Sequence, residues 1–416
     1  MEKKLTSDGA AGGVRAHYEK VICACCFLIL FTNIGMPSTS FAVYQPYIVA
    51  IPDVGDAGGS IILAVRNLVT IGAMVVVDRY YQLLDARRGA ALSMLFTAAG
   101  FVVYGAAQGM PLFVLGSVLC GVGYGLGGMI AATMLVNRWY ASGVGTALGV
   151  ASVGSGVASI VIPVAAARII EAQSLSTAFF CEAALALALA AVVAVLLRNR
   201  PADMGLQPHV SKTVEKRRAR GRYARLSRPL SPRAHAALMA AMVMTGAFSV
   251  GGCAYLSVLF VSGGIDLQIA ALLVSVAGTC LTVAKVVVGK IIDRVGTRVA
   301  TGAVFAVSIC GFVLCCTISM GGVPVAVAGA ICVGCGISLG TVGTSVWSIE
   351  LSDAEHRTKS IKDCQIGYAL GGLLMNILPG PLSVLTGTYA VSFALMGVLA
   401  AIAAFIVLYI YRRYRQ

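Results

Sequence analysis

The stretch KVVVGKIIDRVGTR, Lys285 to Arg298, decides how this sequence folds. It starts inside an apolar run, holds one lysine within that run, and closes on a charged pair, Asp293-Arg294. The same pair ends another apolar run in MVVVDRYYQLLDARR, Met74 to Arg88. Asp78 and Asp293 are 293 − 78 = 215 residues apart. A second repeat keeps nearly that offset: GVGYGLGG from Gly121 and GCGISLGT from Gly334 differ by 334 − 121 = 213. Two copies of one unit at near-constant offset predict a pseudo-symmetric protein with its site between the copies.

Composition says what each copy is made of. The chain has 416 residues, 58% hydrophobic and 12% charged, where soluble proteins carry about 25% charged residues. Mean hydropathy is +0.89. Forty-eight glycines in so apolar a chain point to close-packed membrane helices. A membrane span needs about 20 mostly apolar residues. Spans are predicted near 20–45, 59–78, 90–108, 111–136, 144–170 and 176–197, then 235–261, 267–290, 299–319, 322–348, 363–385 and 388–411. The first is too long for a signal peptide, lacks a cleavage-like flank, and is followed by eleven more. The expected fold is an all-α membrane protein of twelve transmembrane helices in two pseudo-symmetric six-helix bundles. The expected division is a tail (1–19), an N-terminal bundle (20–197), a basic linker (198–234), a C-terminal bundle (235–411) and a short tail (412–416).

The charges test that count. All 31 basic residues except Arg66, Arg168 and Lys285 fall in the tails, the linker and alternate loops. The opposite loops hold acids instead: Asp53, Asp56, Glu171 and Asp266. By the positive-inside rule both termini are cytoplasmic in a plasma membrane. The net charge of +14 is then a topology signal and a contact for anionic lipid, and no nucleic-acid partner is expected.

No HExxH, GxGxxG, Walker loop or GxSxG pattern occurs. No catalytic residues, metal ligands or cofactors are expected, and the chain is not read as an enzyme. The thirteen cysteines lie almost all in apolar runs and read as small apolar residues. This includes Cys332 and Cys335, although they form a CxxC.

Two helix faces stand out. In the fifth span Gly145, Gly149, Ser152, Gly156, Ser159 and Pro163 share one face, which lets another backbone come close. In the eighth, Ser275, Gly278, Thr282, Lys285 and Gly289 do the same. Lys285 precedes Asp293 by eight residues, about 12 Å of helix. A charge at that depth faces a cavity and has a function more often than not; the bland reading is a structural ion pair. Arg66 is a second substrate candidate, or a side chain that snorkels outward. Arg168, near Glu171, reads as an interface anchor. Asn33, Ser40, Tyr44, Tyr124, Tyr255, Gln365, Tyr368 and Asn376 are polar groups within spans; Tyr44, Tyr124, Tyr255 and Tyr368 join Thr282, Lys285 and Arg66 as substrate-binding candidates. Asp78, Arg79, Asp293 and Arg294 are read as a gating latch at a helix end.

GKIIDRVGTR, Gly289 to Arg298, resembles the loop signature of the major facilitator superfamily, G-x-x-x-D-R-x-G-x-R; the first-half copy has Met74 in place of the glycine. RWYASGVGTALGVASVGSGVASIVIP, Arg138 to Pro163, resembles the fourth-to-fifth-helix region of the monocarboxylate and oxalate–formate branch. SFAVYQPYI, Ser40 to Ile48, is similar to that branch's first helix, and GPLSVLTGTYAVSF, Gly380 to Phe393, to its entry into the last helix, with Val384 replacing an acid. The branch carries an arginine four residues before the signature glycine, where this chain has Lys285. The resemblance implies that Lys285 pairs with a substrate carboxylate, as a point charge and not a fork. Oxalate-transporting members hold a second cation deep in the eleventh helix; here Lys359 and Lys362 lie at its entrance, which favours a monoanion. Glu182 is a proton-carrier candidate set aside because the sixth helix of such folds is often peripheral.

The function expected is secondary active transport of a small organic anion, a monocarboxylate, by alternating access, coupled to protons or to a counter-anion, in a monomer. Multidrug efflux on the same fold is the alternative. Gly145 and Gly154 fit its fifth-helix motif, but Ala158 and Ser159 break the Gly-Pro that follows. A non-transporting sensor would usually add a soluble signalling domain, and none is read here.

Overall fold

The computed structural model describes residues 17–39, 41, 44, 47–48, 51–209, 230–352 and 357–415. Residues 1–16, Ser40, linker residues 210–229 with most of the basic cluster, His356 and Gln416 lie outside the described residues, as does the side chain of Asp56.

Among the described residues twelve long helical segments follow one another, with a 3-10 turn at Pro201–Met204 between the sixth and the seventh. α1 is α-helical over Tyr18–Leu30 and π-helical over Phe31–Thr39. α2 spans Gly55–Leu83, α3 Ala86–Gly105, and α4 Met110–Gly127 with a continuation over Met129–Trp139. α5 spans Val144–Ala172 and α6 Leu175–Leu196. α7 spans Pro232–Ala254 with a short extension Leu256–Ser262, α8 Leu267–Val295 and α9 Thr297–Cys316. α10 runs over Ile318–Gly336, a 3-10 turn Ile337–Gly340, and Val342–Glu350. α11 spans Arg357–Ile377 and Pro379–Thr386, and α12 Ala390–Tyr414.

Among the described residues eleven helices are long and apolar enough to cross a membrane. α11 falls short by composition because Arg357, Lys359, Lys362, Asp363 and Gln365 crowd its first turns. It packs along α7 and α2, and so fills the twelfth place. The outward faces are apolar: Leu68, Leu272, Val283, Val287 and Phe405 are all exposed. Such a girdle suits lipid and not water.

The duplication is visible in the packing. In the first half α1 packs on α5, α2 on α4, and α3 on both α4 and α6. In the second half α7 packs on α11, α8 on α10, and α9 on both α10 and α12. Each pair recurs six helices later. The halves meet along α5–α8 and α2–α11, pairs that the same relation exchanges.

Several boundaries differ from the sequence expectation. α2 runs on to Leu83, so Asp78 and Arg79 lie within a helix and not in the loop after it. α11 begins at Arg357, so its basic residues are helical. The predicted first span of 20–45 ends its regular helix at Thr39: Pro37 has no N–H for the ladder, and the run around it is π-helical. The linker is shorter than 198–234 in effect, because Ser231 caps α7 by accepting from Ala234 N at 3.3 Å. At its other end His209 N donates to Trp139 O at 2.8 Å and His209 O accepts from Ala141 N at 2.9 Å, tying residues 198–209 to the α4–α5 turn.

Candidate functional site

The α5–α8 seam is built backbone against backbone. A Cβ on Gly145 would lie 3.0 Å from Gly289 O, and one on Gly149 would strike the Lys285 carbonyl. A Cβ on Gly156 would lie 2.5 Å from Thr282 Oγ1. The small faces predicted for the two helices therefore meet each other, from the Gly145–Gly289 crossing up to Gly156–Thr282.

Lys285 reaches across this seam. Its Nζ donates to Ser152 O at 3.2 Å and to Ser155 Oγ at 3.0 Å. The residue is buried, and among the described residues no carboxylate lies within ion-pair distance of it. An ammonium has three donors, and two are used. Ser155 was not singled out in the sequence. Its signal was available: it follows Ser152 by three residues, on the same helix face.

Beyond Gly156 the seam parts. Gly278 has nothing within 4 Å where its Cβ would be, Ser275 is exposed, and so is Cys253 of α7. Cys253 lies within electrostatic reach of Lys285. Tyr368 of α11 lies within reach of Cys253 and of Tyr124 on α4, and Tyr124 within reach of Arg66 on α2. Lys285, Cys253, Tyr368, Tyr124 and Arg66 thus lie in successive electrostatic reach of one another, from one half to the other. Cys253 escaped the sequence reading because a lone cysteine in an apolar run reads as packing.

The other candidates are placed differently. Thr282 lies in the seam with its hydroxyl on Gly278 O at 2.9 Å. Arg66 does not snorkel outward: it is buried, its Nη1 donates to Pro37 O, and its guanidinium lies 5.8 Å over the Phe41 ring. Tyr44 is buried, donates to Glu182 Oε1 and stacks on Phe179 at 4.2 Å. Tyr255 donates to Asn376 O at 2.6 Å and stacks on Tyr389. Asn33 is buried among Ser93, Thr97 and Gly127 O. Tyr44, Tyr255 and Asn33 are therefore committed elsewhere, away from Lys285.

The end of the bundle that holds Lys20 and Arg415 is closed. Asp293 Oδ2 accepts from Thr146 N at 2.7 Å. Thr146 is the third residue of α5, so its N–H has no acceptor within the helix, and the carboxylate also faces the positive end of the helix dipole. Asp78 pairs with Lys362 on α11. Arg357 Nη1 donates to Asn137 Oδ1 at 3.4 Å, and Thr133 Oγ1 to Ser345 Oγ at 3.2 Å. Asp78 and Asp293 hold equivalent positions in the two halves, and each grips the start of a helix in the other half. Arg79 and Arg294 are exposed and make no ion pair among the described residues. Two clefts open at this closed end, of about 670 and 310 Å³, both bordered by Asp293 and neither by Lys285.

The Major Facilitator Superfamily profile matches residues 23–361 and again 262–416. The chain belongs to the Major Facilitator Superfamily. Membrane transport is accordingly its class of activity. This facilitator is similar in fold to the fucose transporter FucP in its outward conformation, with a TM-score of 0.70 and 15% identity over 95% of this chain and 99% of that one. It is similar to the proton–xylose symporter XylE, with a TM-score of 0.69 and 14% identity over 96% of each chain. The human organic anion transporter MFSD10 gives 0.69 and 11% identity over 94% of this chain and 99% of that one. No curated protein matches the sequence of this facilitator. At such identities the likeness concerns the fold alone.

Proposed function

We propose that this facilitator carries a small organic monoanion, a monocarboxylate, by alternating access, and that Lys285 receives the carboxylate. One observation carries the reading: a buried ammonium, about 12 Å of helix inward from Asp293, has no carboxylate partner among the described residues. A lone charge in such a place is expensive unless something neutralises it. A substrate anion does so and displaces one of the two serine contacts. The spacing of Lys285, Gly289 and Asp293 supports the reading, since it resembles that of the monocarboxylate branch. The similar structures, sugar carriers and an organic anion transporter by their names, support the fold and not the choice of substrate. Tyr124, Tyr368, Cys253, Thr282 and Arg66 would border the bound anion. With both termini cytoplasmic, the parted seam opens to the outside, and breaking the Asp78 and Asp293 latches opens the other face.

The test is uptake normalised to membrane protein level, for wild type, Lys285→Met and Lys285→Arg, with acetate, lactate, pyruvate, formate and oxalate. Met abolishes carboxylate uptake and still inserts, because an apolar residue is cheaper than lysine at that depth by about 2.5 kcal/mol or more. Arg retains part of it. Undiminished uptake per molecule in the Met variant sinks the assignment.

A further inference from the structure

The first half holds a buried carboxyl in a membrane-spanning helix, Glu182, and the reading above does not use it. Glu182 lies seven residues into α6, about 10 Å from that helix's start. Instead of facing lipid, it is 5% exposed and turns toward Tyr44, which follows α1 in the chain. Its Oε1 accepts from the Tyr44 hydroxyl; its Oε2 is buried with no hydrogen-bond partner. No cation lies within ion-pair distance of it among the described residues.

The ionisable neighbours leave the carboxyl alone. On α3 Tyr104 shares its hydroxyl with Ser117 Oγ at 2.8 Å. On α2 Arg66 donates to Pro37 O. α4 brings Cys120, α6 itself Cys181, and α5 only Arg168 and Glu171, both exposed. The surrounding rings, Phe41, Tyr44, Phe101, Tyr104 and Phe179, form one aromatic cluster. A carboxylate held there by a single phenol is costly, and a neutral acid much less so. Oε2 is therefore where a proton is gained and lost. Arg66 and Glu182 also hold residues close in sequence: Arg66 donates to Pro37 O and Glu182 accepts from Tyr44, seven residues further on. A change of charge at Glu182 alters its hold on the Tyr44 hydroxyl.

We propose that Glu182 is a proton-binding site, remote from Lys285, whose charge state is felt by the Tyr44 hydroxyl, and that it couples transport to a proton gradient. The coupling rests on the transport reading above; proton binding does not. The step is one proton onto Oε2 and off again, with no other bond made or broken.

Infrared spectra of the purified full chain in lipid, taken across pH with no anion added, test proton binding. A titrating carboxylic-acid C=O band is expected that disappears in Glu182→Gln and shifts in Tyr44→Phe, which loses the phenolic donor. A titrating band that survives in the Gln variant overturns the site. If Gln fails to insert, the Tyr44→Phe spectrum decides, and an unshifted band overturns it. In proteoliposomes with lactate, Glu182→Gln should keep lactate exchange and lose at least ten-fold in accumulation driven by a pH gradient. Accumulation equal to wild type refutes the coupling. If wild type moves none of the five acids, the anion reading fails, and the proton site is judged on its infrared band.

Discussion

Gly289→Ala is the smallest change that forces the two halves apart. The added methyl would strike the carbonyl of Gly145 and lie 3.2 Å from Thr146 Cα, both of them backbone. Neither can rotate aside, so α5 and α8 must separate. Overpacking of this kind costs about 1–3 kcal/mol, which is about 5- to 150-fold in the ratio of closed to parted seam. The structure supplies its own reporter. The Thr146 amide has no acceptor within α5 and donates to Asp293 Oδ2. When the seam parts, that amide meets solvent. Hydrogen–deuterium exchange followed by mass spectrometry, on peptides covering 144–152, should accelerate within that range for Gly289→Ala. Gly145→Ala, whose Cβ would stand 3.0 Å from Gly289 O, should accelerate it less. Gly278→Ala is the control, since nothing lies within 4 Å of its Cβ position. Unchanged exchange in Gly289→Ala, or equal acceleration in Gly278→Ala, refutes a seam closed by backbone contact.

Asp293→Ala removes the acceptor of the Thr146 amide and a negative charge from the start of α5. It should weaken closure by about 1 kcal/mol, seen as faster exchange over 144–152; wild-type exchange would reduce the latch to a turn. Asp78→Lys should impair turnover more than binding, and adding Lys362→Asp should restore part of it; no rescue in the double variant would show the pair to be incidental. Cys253, exposed and within electrostatic reach of Lys285, should react with a small thiol reagent more slowly when the substrate anion is present; full reactivity at saturating anion would place the anion elsewhere. Engineered cysteines at Asp56 and Asp266 should react with an impermeant label from outside intact cells and one at Lys216 should not; external labelling at 216 would reverse the proposed orientation.

The fold was legible because membrane helices declare themselves by run length and by the side on which their charges fall. The duplication was legible because Asp78-Arg79 and Asp293-Arg294 survive in both copies. The small faces of α5 and α8 were legible too, since steps of three and four put glycines in register, though nothing in either run says that each is the other's partner. What stayed hidden depends on which helices become neighbours. Lys362 looked like one more basic residue near a helix end until α11 was laid against α2. Glu182 was set aside with its helix, yet burial of a side chain depends on its face and not on its helix's rank in the bundle. Tyr44 and Tyr255 were drawn toward the site by their type alone; their hydroxyls are taken by Glu182 and by Asn376 O.

The two equivalent latches bar one end of the molecule with different chemistry. Asp78 and Lys362 are full charges, 23% and 16% exposed, and dissolved ions reach such a pair. Asp293 holds a neutral backbone N–H, and the hydrogen-bonded part of that grip carries no ionic strength dependence. At physiological salt the screening length is about 8 Å, and added salt shortens it, which weakens the Asp78–Lys362 pair on the α2–α11 side. Salt therefore acts on this barrier at its α2–α11 edge, across the molecule from the glycine seam.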